Sequence, residues 1–80
     1  MTSAAQLRQH AAVAERRGDW WQREANSAFG RGHARMGQAY ADQAAWFYRR
    51  VSRLGEEAAE LERIAKRWPE ETLNQPMGGR

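Results

Sequence analysis

Small and apolar residues recur in the first part of the chain at alternating steps of four and three. This spacing keeps them in one stripe along an α-helix. Ser3 and Gln6 stand just before the stripe at the spacing of a capping box, which predicts a helix over about 4–29. Because most members of the stripe are small, we expect a second helix to approach it closely. The stripe consists of Leu7, Ala11, Ala14, Gly18, Trp21, Ala25 and Ala28.

A second stripe with the same alternation follows a short break in the pattern. The break contains Gly30 and Gly32, two glycines within three residues, which are costly inside a helix and suited to a turn. The sequence therefore predicts an antiparallel helical hairpin with helices over about 4–29 and 33–54. The second stripe consists of Met36, Tyr40, Ala44, Phe47, Val51, Leu54, Ala58, Leu61, Ala65 and Trp68.

Two further glycines leave the number of helices open. Gly18 follows two arginines and precedes an aspartate, as at a helix boundary, but the first stripe stays in phase across it and favours one helix. Gly55 precedes acidic residues, and basic residues stand at 66–67, which is the charge order of a separate helix over 56–68. Pro69 would end that helix. The alternatives are a hairpin or a small three-helix bundle.

The composition places the chain in the all-α class. Fifteen alanines stand against two valines and one isoleucine, which favours helix over sheet. We expect one helical domain over 1–68 and a flexible tail over 69–80, where proline and glycine recur. The length of 80 residues fits a single domain.

The same composition argues against several cellular contexts. No run of about 18 apolar residues is present, and the first residues lack the basic-then-apolar order of a secretory signal. The chain contains no cysteine, which permits a reducing compartment, and we expect a cytoplasmic protein. Twelve arginines against one lysine, with many alanines, are typical of GC-rich bacterial or phage genes.

Reactive side chains are few and dispersed. The serines lie in no nucleophile motif, and Glu56 and Glu60 fit an exposed acidic first turn better than an acid–base pair. His10 and His33 would lie toward opposite ends of a hairpin, and neither has a second ligand at helical spacing. We therefore expect no enzyme, no metal site and no cofactor.

Aromatic residues and arginines are the most distinctive side chains of this sequence. Trp20 and Trp21 point about 100° apart on a helix, so only Trp21 can belong to the stripe. The run at 46–48 fans out in the same way around Phe47. Tryptophan, tyrosine and arginine are enriched at binding hot spots. The residues predicted to bind a partner are Trp20, Trp46, Tyr48, Arg49, Arg50 and Arg53.

These features predict a small non-enzymatic helical module that binds another protein as an adaptor, inhibitor or regulator. A phage or mobile element would suit so compact a binder. The alternative is a basic nucleic-acid-binding protein, since residues 1–55 carry nine arginines against four acidic residues. A homodimer is also expected, because so short a chain has few bulky residues for one core. An amphipathic helix lying on a membrane is disfavoured, because each stripe can pack against the other.

Overall fold

The computed structural model describes the backbone of residues 2–74 and the side chains of residues 2–67. Two α-helices make up this part of the chain: α1 spans Ala4–Gly30 and α2 spans Ala34–Asn74. They pack lengthwise against each other in opposite directions, as the pairing of Trp21 with Tyr40 near the turn and of Arg8 with Glu62 far from it shows. The predicted all-α antiparallel hairpin is confirmed.

Helix α1 begins where the sequence predicts and runs through Gly18 without a break. The Ser3 side chain accepts a hydrogen bond from the Gln6 amide at 3.1 Å, and the Gln6 side chain accepts one from the Ser3 amide at 2.9 Å. This capping box satisfies two amide groups that the first helical turn leaves free. All seven members of the α1 stripe are buried or half-buried, and packing against α2 outweighs the about 1 kcal/mol that a glycine costs inside a helix.

The turn between the helices is a Schellman motif. The His33 amide donates to the Ala28 carbonyl at 2.8 Å, and the Gly32 amide donates to the Phe29 carbonyl at 3.0 Å. This geometry requires a left-handed backbone at the residue after the cap, and Gly32 has φ of +81°. Gly30 lies in the last turn of α1 with a helical backbone. The prediction that these glycines form the hairpin turn is confirmed.

Alanine substitutions at the two turn glycines should have opposite effects. Gly32→Ala should lower the free energy of unfolding by about 1 kcal/mol, because its Cβ is strained at positive φ. Gly30→Ala, the matched control, should raise it by about 0.5 kcal/mol, because no atom lies within 4 Å of its added Cβ and alanine favours helix. Urea denaturation followed by circular dichroism measures both. Equal effects would show that Gly32 is not left-handed in solution.

Helix α2 is continuous through Gly55, so of the two alternatives the hairpin is confirmed and the separate third helix over 56–68 is wrong. The reason is packing: Leu54 and Ala58 lie on either side of Gly55 and are both buried in one cluster with Leu7. A break at Gly55 would carry Ala58 away from α1. The charge order at 56–67 marks a helix end only when no tertiary contact extends the helix.

The predicted stop at Pro69 is also wrong, since the backbone of α2 remains helical to Asn74. A proline removes one hydrogen bond to the carbonyl four residues earlier, here that of Ala65. Ala65 is exposed, so water can satisfy this carbonyl. Residues 69–74 of the predicted flexible tail therefore belong to α2. The rest of that predicted tail, 75–80, lies outside the described residues.

The contact between the helices is built from small side chains. Its buried members are Leu7, Ala14, Gly18, Ala25, Ala28, Gly37, Ala44, Leu54 and Ala58. The stripe predicts that Met36 lies in the helix contact, but Met36 is exposed and its neighbour Gly37 is buried instead. The Phe29 ring approaches position 37 so closely that it leaves no room for a side chain there. No large side chain in the described part of the chain is fully buried. The α1–α2 contact is therefore narrow.

The hairpin forms a single layer, far more elongated than a compact domain. Its radius of gyration is 19.9 Å and its dimensions are 70 × 15 × 13 Å, whereas a compact chain of this length has a radius near 12 Å. Helix α2 has 41 residues against 27 in α1, so its last dozen residues extend beyond the start of α1. Because the described part of the chain contains only these two helices, both broad sides of the layer are accessible.

Candidate interaction face

One broad side of the hairpin carries most of its exposed apolar side chains together with unpaired arginines. We call it the aromatic–arginine face. Its α1 residues, at 13, 17 and 20, are spaced by four and three and so share one side of the helix. Its α2 residues, at 46, 50 and 53, have the same spacing. The face consists of Val13, Arg17 and Trp20 on α1 and of Trp46, Arg50 and Arg53 on α2.

A shallow cavity shows that residues from both helices share this side. It has a volume of about 200 Å³ and lies over the helix contact. Val13 and Arg17 line it from α1, and Phe47 and Arg50 line it from α2, with His10 at one end. Two arginines and a histidine thus surround a small apolar floor. Such a cavity fits a carboxylate carried on an apolar stem.

Each helix presents one exposed indole on this face, supported by a half-buried ring. Trp20 is 49% exposed and meets Trp21 edge to face, with ring centroids 4.9 Å apart. Trp46 is 47% exposed and meets Phe47 edge to face at 5.0 Å. The supporting rings lie in the helix contact, where Trp21 also packs on Tyr40. These contacts restrict the orientation of both exposed indoles, as a preformed binding surface requires.

Three arginines of α2 lie close to Trp46 along the helix. Arg49 and Arg53 line a surface depression with Trp46 and Ser52, and Arg50 lies over the cavity near Phe47. All three arginines are exposed, and within the described side chains none of them forms an ion pair or a hydrogen bond. Their guanidinium groups are therefore available to an anionic or planar group.

Tyr48 lies on the opposite side of the hairpin, apart from the other five predicted partner-binding residues. It is half-buried, its ring packs against Gly18, and its hydroxyl donates to Asp19 Oδ1 at 2.6 Å. This hydrogen bond, then burial, then the negative charges of Asp19 and Glu15 raise the pKa of Tyr48 above its ordinary value of 10.0. The structure therefore uses Tyr48 to join the helices.

The raised pKa of Tyr48 predicts a stability change at alkaline pH. The hydroxyl stabilises the hairpin only while protonated, so its contribution is fully present below pH 10.0 and is lost as pH rises through the higher folded-state pKa. Tyr48→Phe should lower the free energy of unfolding by about 1 kcal/mol at neutral pH and flatten its decline above pH 10. Tyr40→Phe is the control and keeps one tyrosine. Identical alkaline profiles for the two variants would contradict this role.

The side that carries Tyr48 is otherwise polar or small. Near the start of α1, Arg8 Nε donates to Glu62 at 3.0 Å, and this pair lowers the pKa of the Glu62 carboxyl. Large apolar side chains on this side are limited, among the described residues, to Phe29 beside the turn. The two broad sides of the hairpin therefore differ in chemistry, and only one has the composition of a binding surface.

The sequence prediction missed the α1 half of the cavity. Val13 and Arg17 were assigned no role, although their spacing to Trp20 places them on the same side of the helix as this exposed tryptophan. That spacing was the available signal. It does not show that Val13 and Arg17 meet Phe47 and Arg50, because that depends on the alignment of the two helices.

Side chains that bind metals are dispersed in the described part of the chain, where no group of three or more His, Cys, Asp or Glu side chains could hold a metal ion. His10 stands 20 residues, or about 30 Å along α1, before the helix end that precedes His33. Glu56 and Glu60 are exposed on α2, and Glu60 pairs with Arg63.

Within the residues that the structure describes, neither helix contains a stretch apolar enough to cross a bilayer.

Known proteins provide no reference point for the aromatic–arginine face. Comparison with protein-family models, with curated proteins and with solved structures finds no match to this chain.

Proposed function

We propose that this chain is a small non-enzymatic helical module that binds another protein through its aromatic–arginine face, acting in the cytoplasm as an adaptor, inhibitor or regulator. One observation carries the proposal. Of six large apolar side chains that are exposed among the described residues, five lie on this side of the hairpin. They are Val13, Trp20, Met36, Trp46 and Ile64. Met36 and Ile64 stand fourteen residues before and after Arg50, which is close to four helical turns in each direction.

The energetics of the exposed indoles support this function. A large aromatic side chain has 150–250 Å² to bury, and roughly 25 cal/mol is gained for each Å² removed from water. About half of Trp20 and half of Trp46 remain in solvent in the hairpin alone. A protein that covers them gains this burial without first ordering the rings, because Trp21 and Phe47 already hold them.

A pair of matched substitutions tests the proposal. Trp46→Glu should weaken binding of the cellular protein about tenfold or more, because it removes a central hot spot. Phe29→Glu is the control, since Phe29 is 45% exposed, close to the 47% of Trp46, but lies on the other side. Proteins captured from the native host would be purified, and their binding to each variant measured by calorimetry. Equal affinity for wild type and Trp46→Glu would refute the proposal.

Nucleic-acid binding remains the second candidate, favoured by the depression that Trp46, Arg49, Ser52 and Arg53 line. An indole beside two unpaired guanidinium groups can stack on a base and hold phosphate. Fluorescence anisotropy with a labelled single-stranded oligonucleotide tests this function. Affinity that falls steeply with salt on a log–log plot, and that is lost in an Arg49→Glu and Arg53→Glu double variant, would favour nucleic acid over protein.

A further inference from the structure

We infer that the aromatic–arginine face binds a second copy of this chain, in an antiparallel two-fold arrangement centred on Trp20 and Trp46. This inference rests on the proposed function, because it names the partner of the same face. It follows from the positions of the charged residues along the length of the hairpin and from the solvent-accessible area that the hairpin leaves exposed.

The two tryptophans lie at the same level of the hairpin. A Cβ added to Gly18 would lie 3.3 Å from the Phe47 Cβ, so residue 18 of α1 stands opposite residues 47–48 of α2. The helices run in opposite directions, so two residues further along α1 corresponds to two residues back along α2. Trp20 therefore stands opposite residues 45–46, and Trp20 with Trp46 marks the centre of the face.

Two pairs of oppositely charged residues, each with one member on or just after α1 and one on α2, are antisymmetric about this centre. Glu24 lies four residues after Trp20, and Arg50 lies four residues after Trp46. Because the helices are antiparallel, the two stand about 6 Å from the centre on opposite sides. Arg31 and Glu57 likewise lie eleven residues after the two tryptophans, about 16 Å from the centre on opposite sides. Each distance thus carries one acidic and one basic residue.

A two-fold axis through the centre turns this antisymmetry into complementarity. The rotation exchanges the two ends, so it brings Glu24 of one copy to the level of Arg50 in the other, and Arg31 to the level of Glu57. Each contact is made twice. A parallel arrangement would instead bring arginine to the level of arginine and glutamate to the level of glutamate. Charge complementarity therefore selects the antiparallel dimer.

The cavity on the face provides the receiving site. Arg17 lies three residues before Trp20, on the same side of the centre as Arg50, and both arginines line the cavity beside Phe47. In the antiparallel dimer, Glu24 of the second copy reaches the level of this cavity. Glu24 is half-buried and, within the described residues, forms neither an ion pair nor a hydrogen bond in its own chain. Its carboxylate and the two guanidinium groups are thus unpaired in each copy and complementary between copies.

The exposed area matches the needs of such a dimer. The chain exposes 6230 Å², whereas a folded monomer of 9.2 kDa exposes about 4,900 Å². The excess of about 1,300 Å² is spread over the whole elongated hairpin, including the end of α2 that extends beyond α1, and it is more than the about 800 Å² that each partner buries in an interface of standard size. Joining two single layers across this face produces a four-helix arrangement with the aromatic rings inside.

Analytical ultracentrifugation of charge-reversal variants tests the inference. Wild type should sediment at twice 9.2 kDa in the micromolar range, as expected for an interface of this size. Glu24→Arg and Arg50→Glu should each weaken self-association about tenfold or more, because like charges then meet twice. An equimolar mixture of the two variants should regain the dimer, since both contacts between positions 24 and 50 again join opposite charges. Glu15→Arg and Arg23→Glu are the matched controls, away from the face, and should leave the dimer intact.

Each other outcome is decisive. A 9.2 kDa monomer up to about 100 μM, or a dimer that both Glu24→Arg and Arg50→Glu leave intact, would overturn the inference. Failure of the mixture to recover the dimer would also overturn it, provided that circular dichroism shows both variants to be helical. The proposed function is judged separately. If the chain is a monomer, and Trp46→Glu but not Phe29→Glu loses binding of a purified cellular protein, the proposed function stands and the second copy is excluded as the partner.

Discussion

Leu54→Ala should remove most of the stability of the hairpin, with a loss of about 2–3 kcal/mol in the free energy of unfolding. Leu54 is 8% exposed and forms, with Leu7 and Ala58, the buried cluster that joins the start of α1 to the middle of α2. Since the rest of the helix contact is mostly alanine and glycine, few neighbouring side chains are long enough to refill the space. Thermal unfolding followed by circular dichroism should show a melting temperature lowered by about 10 °C or more.

Ile64→Ala is the matched control for this large loss. Ile64 lies on the same helix, but it is 40% exposed and stands beyond the start of α1. Its truncation should change the free energy of unfolding by less than about 0.5 kcal/mol. A loss equal to that of Leu54→Ala would mean that the end of α2 is packed in solution, contrary to the structure.

The second large effect is expected at Gly18. An alanine Cβ there would lie 2.9 Å from Tyr48 Cε1 and 3.3 Å from Phe47 Cβ. The Tyr48 ring is held by its hydrogen bond to Asp19, and the Phe47 Cβ is fixed to the backbone, so the helices must separate. Overpacking of this kind costs up to about 3 kcal/mol, against a gain of about 1 kcal/mol in helix propensity. We expect Gly18→Ala to lose about 2 kcal/mol.

Gly55→Ala provides the contrast, because it makes the same change in a helix interior without a neighbour. Beyond the adjacent residues and the backbone of its own helix, no atom lies within 4 Å of the Cβ added at Gly55, so the variant should gain about 1 kcal/mol from propensity alone. Urea denaturation should therefore place the two variants on opposite sides of wild type. If both were more stable than wild type, the close approach of the helices at Gly18 would be absent in solution.

Much of the fold could be predicted from local patterns. The stripe of α1, its capping box at Ser3 and Gln6, and the glycine turn at 30–32 all depend on interactions within a few residues. Such signals can be recognised in the sequence without knowledge of the tertiary structure. The separation of Trp20 from Trp21 likewise follows from the 100° rotation per residue of any α-helix.

The predicted partner-binding set shows where local patterns end. Trp46, Arg49, Arg50 and Arg53 are exposed as expected, but Tyr48, only one residue from Arg49, packs against Gly18 on the other side. Whether an aromatic ring beside a stripe faces outward depends on what the opposite helix offers at that level. A glycine there accepts the ring, and only the alignment of the two helices places Gly18 at Tyr48.

The sequence by itself determined the all-α class, the two stripes and the hairpin turn, since these follow from helix periodicity and from the conformational freedom of glycine. The tertiary structure decided the rest. Contacts of Leu54 and Ala58 with α1 make α2 continuous across Gly55, where the local charge order alone favours a break. The alignment of the helices also brings Val13 and Arg17 to Phe47 and Arg50, because residues so distant along the chain meet only when two helices pack.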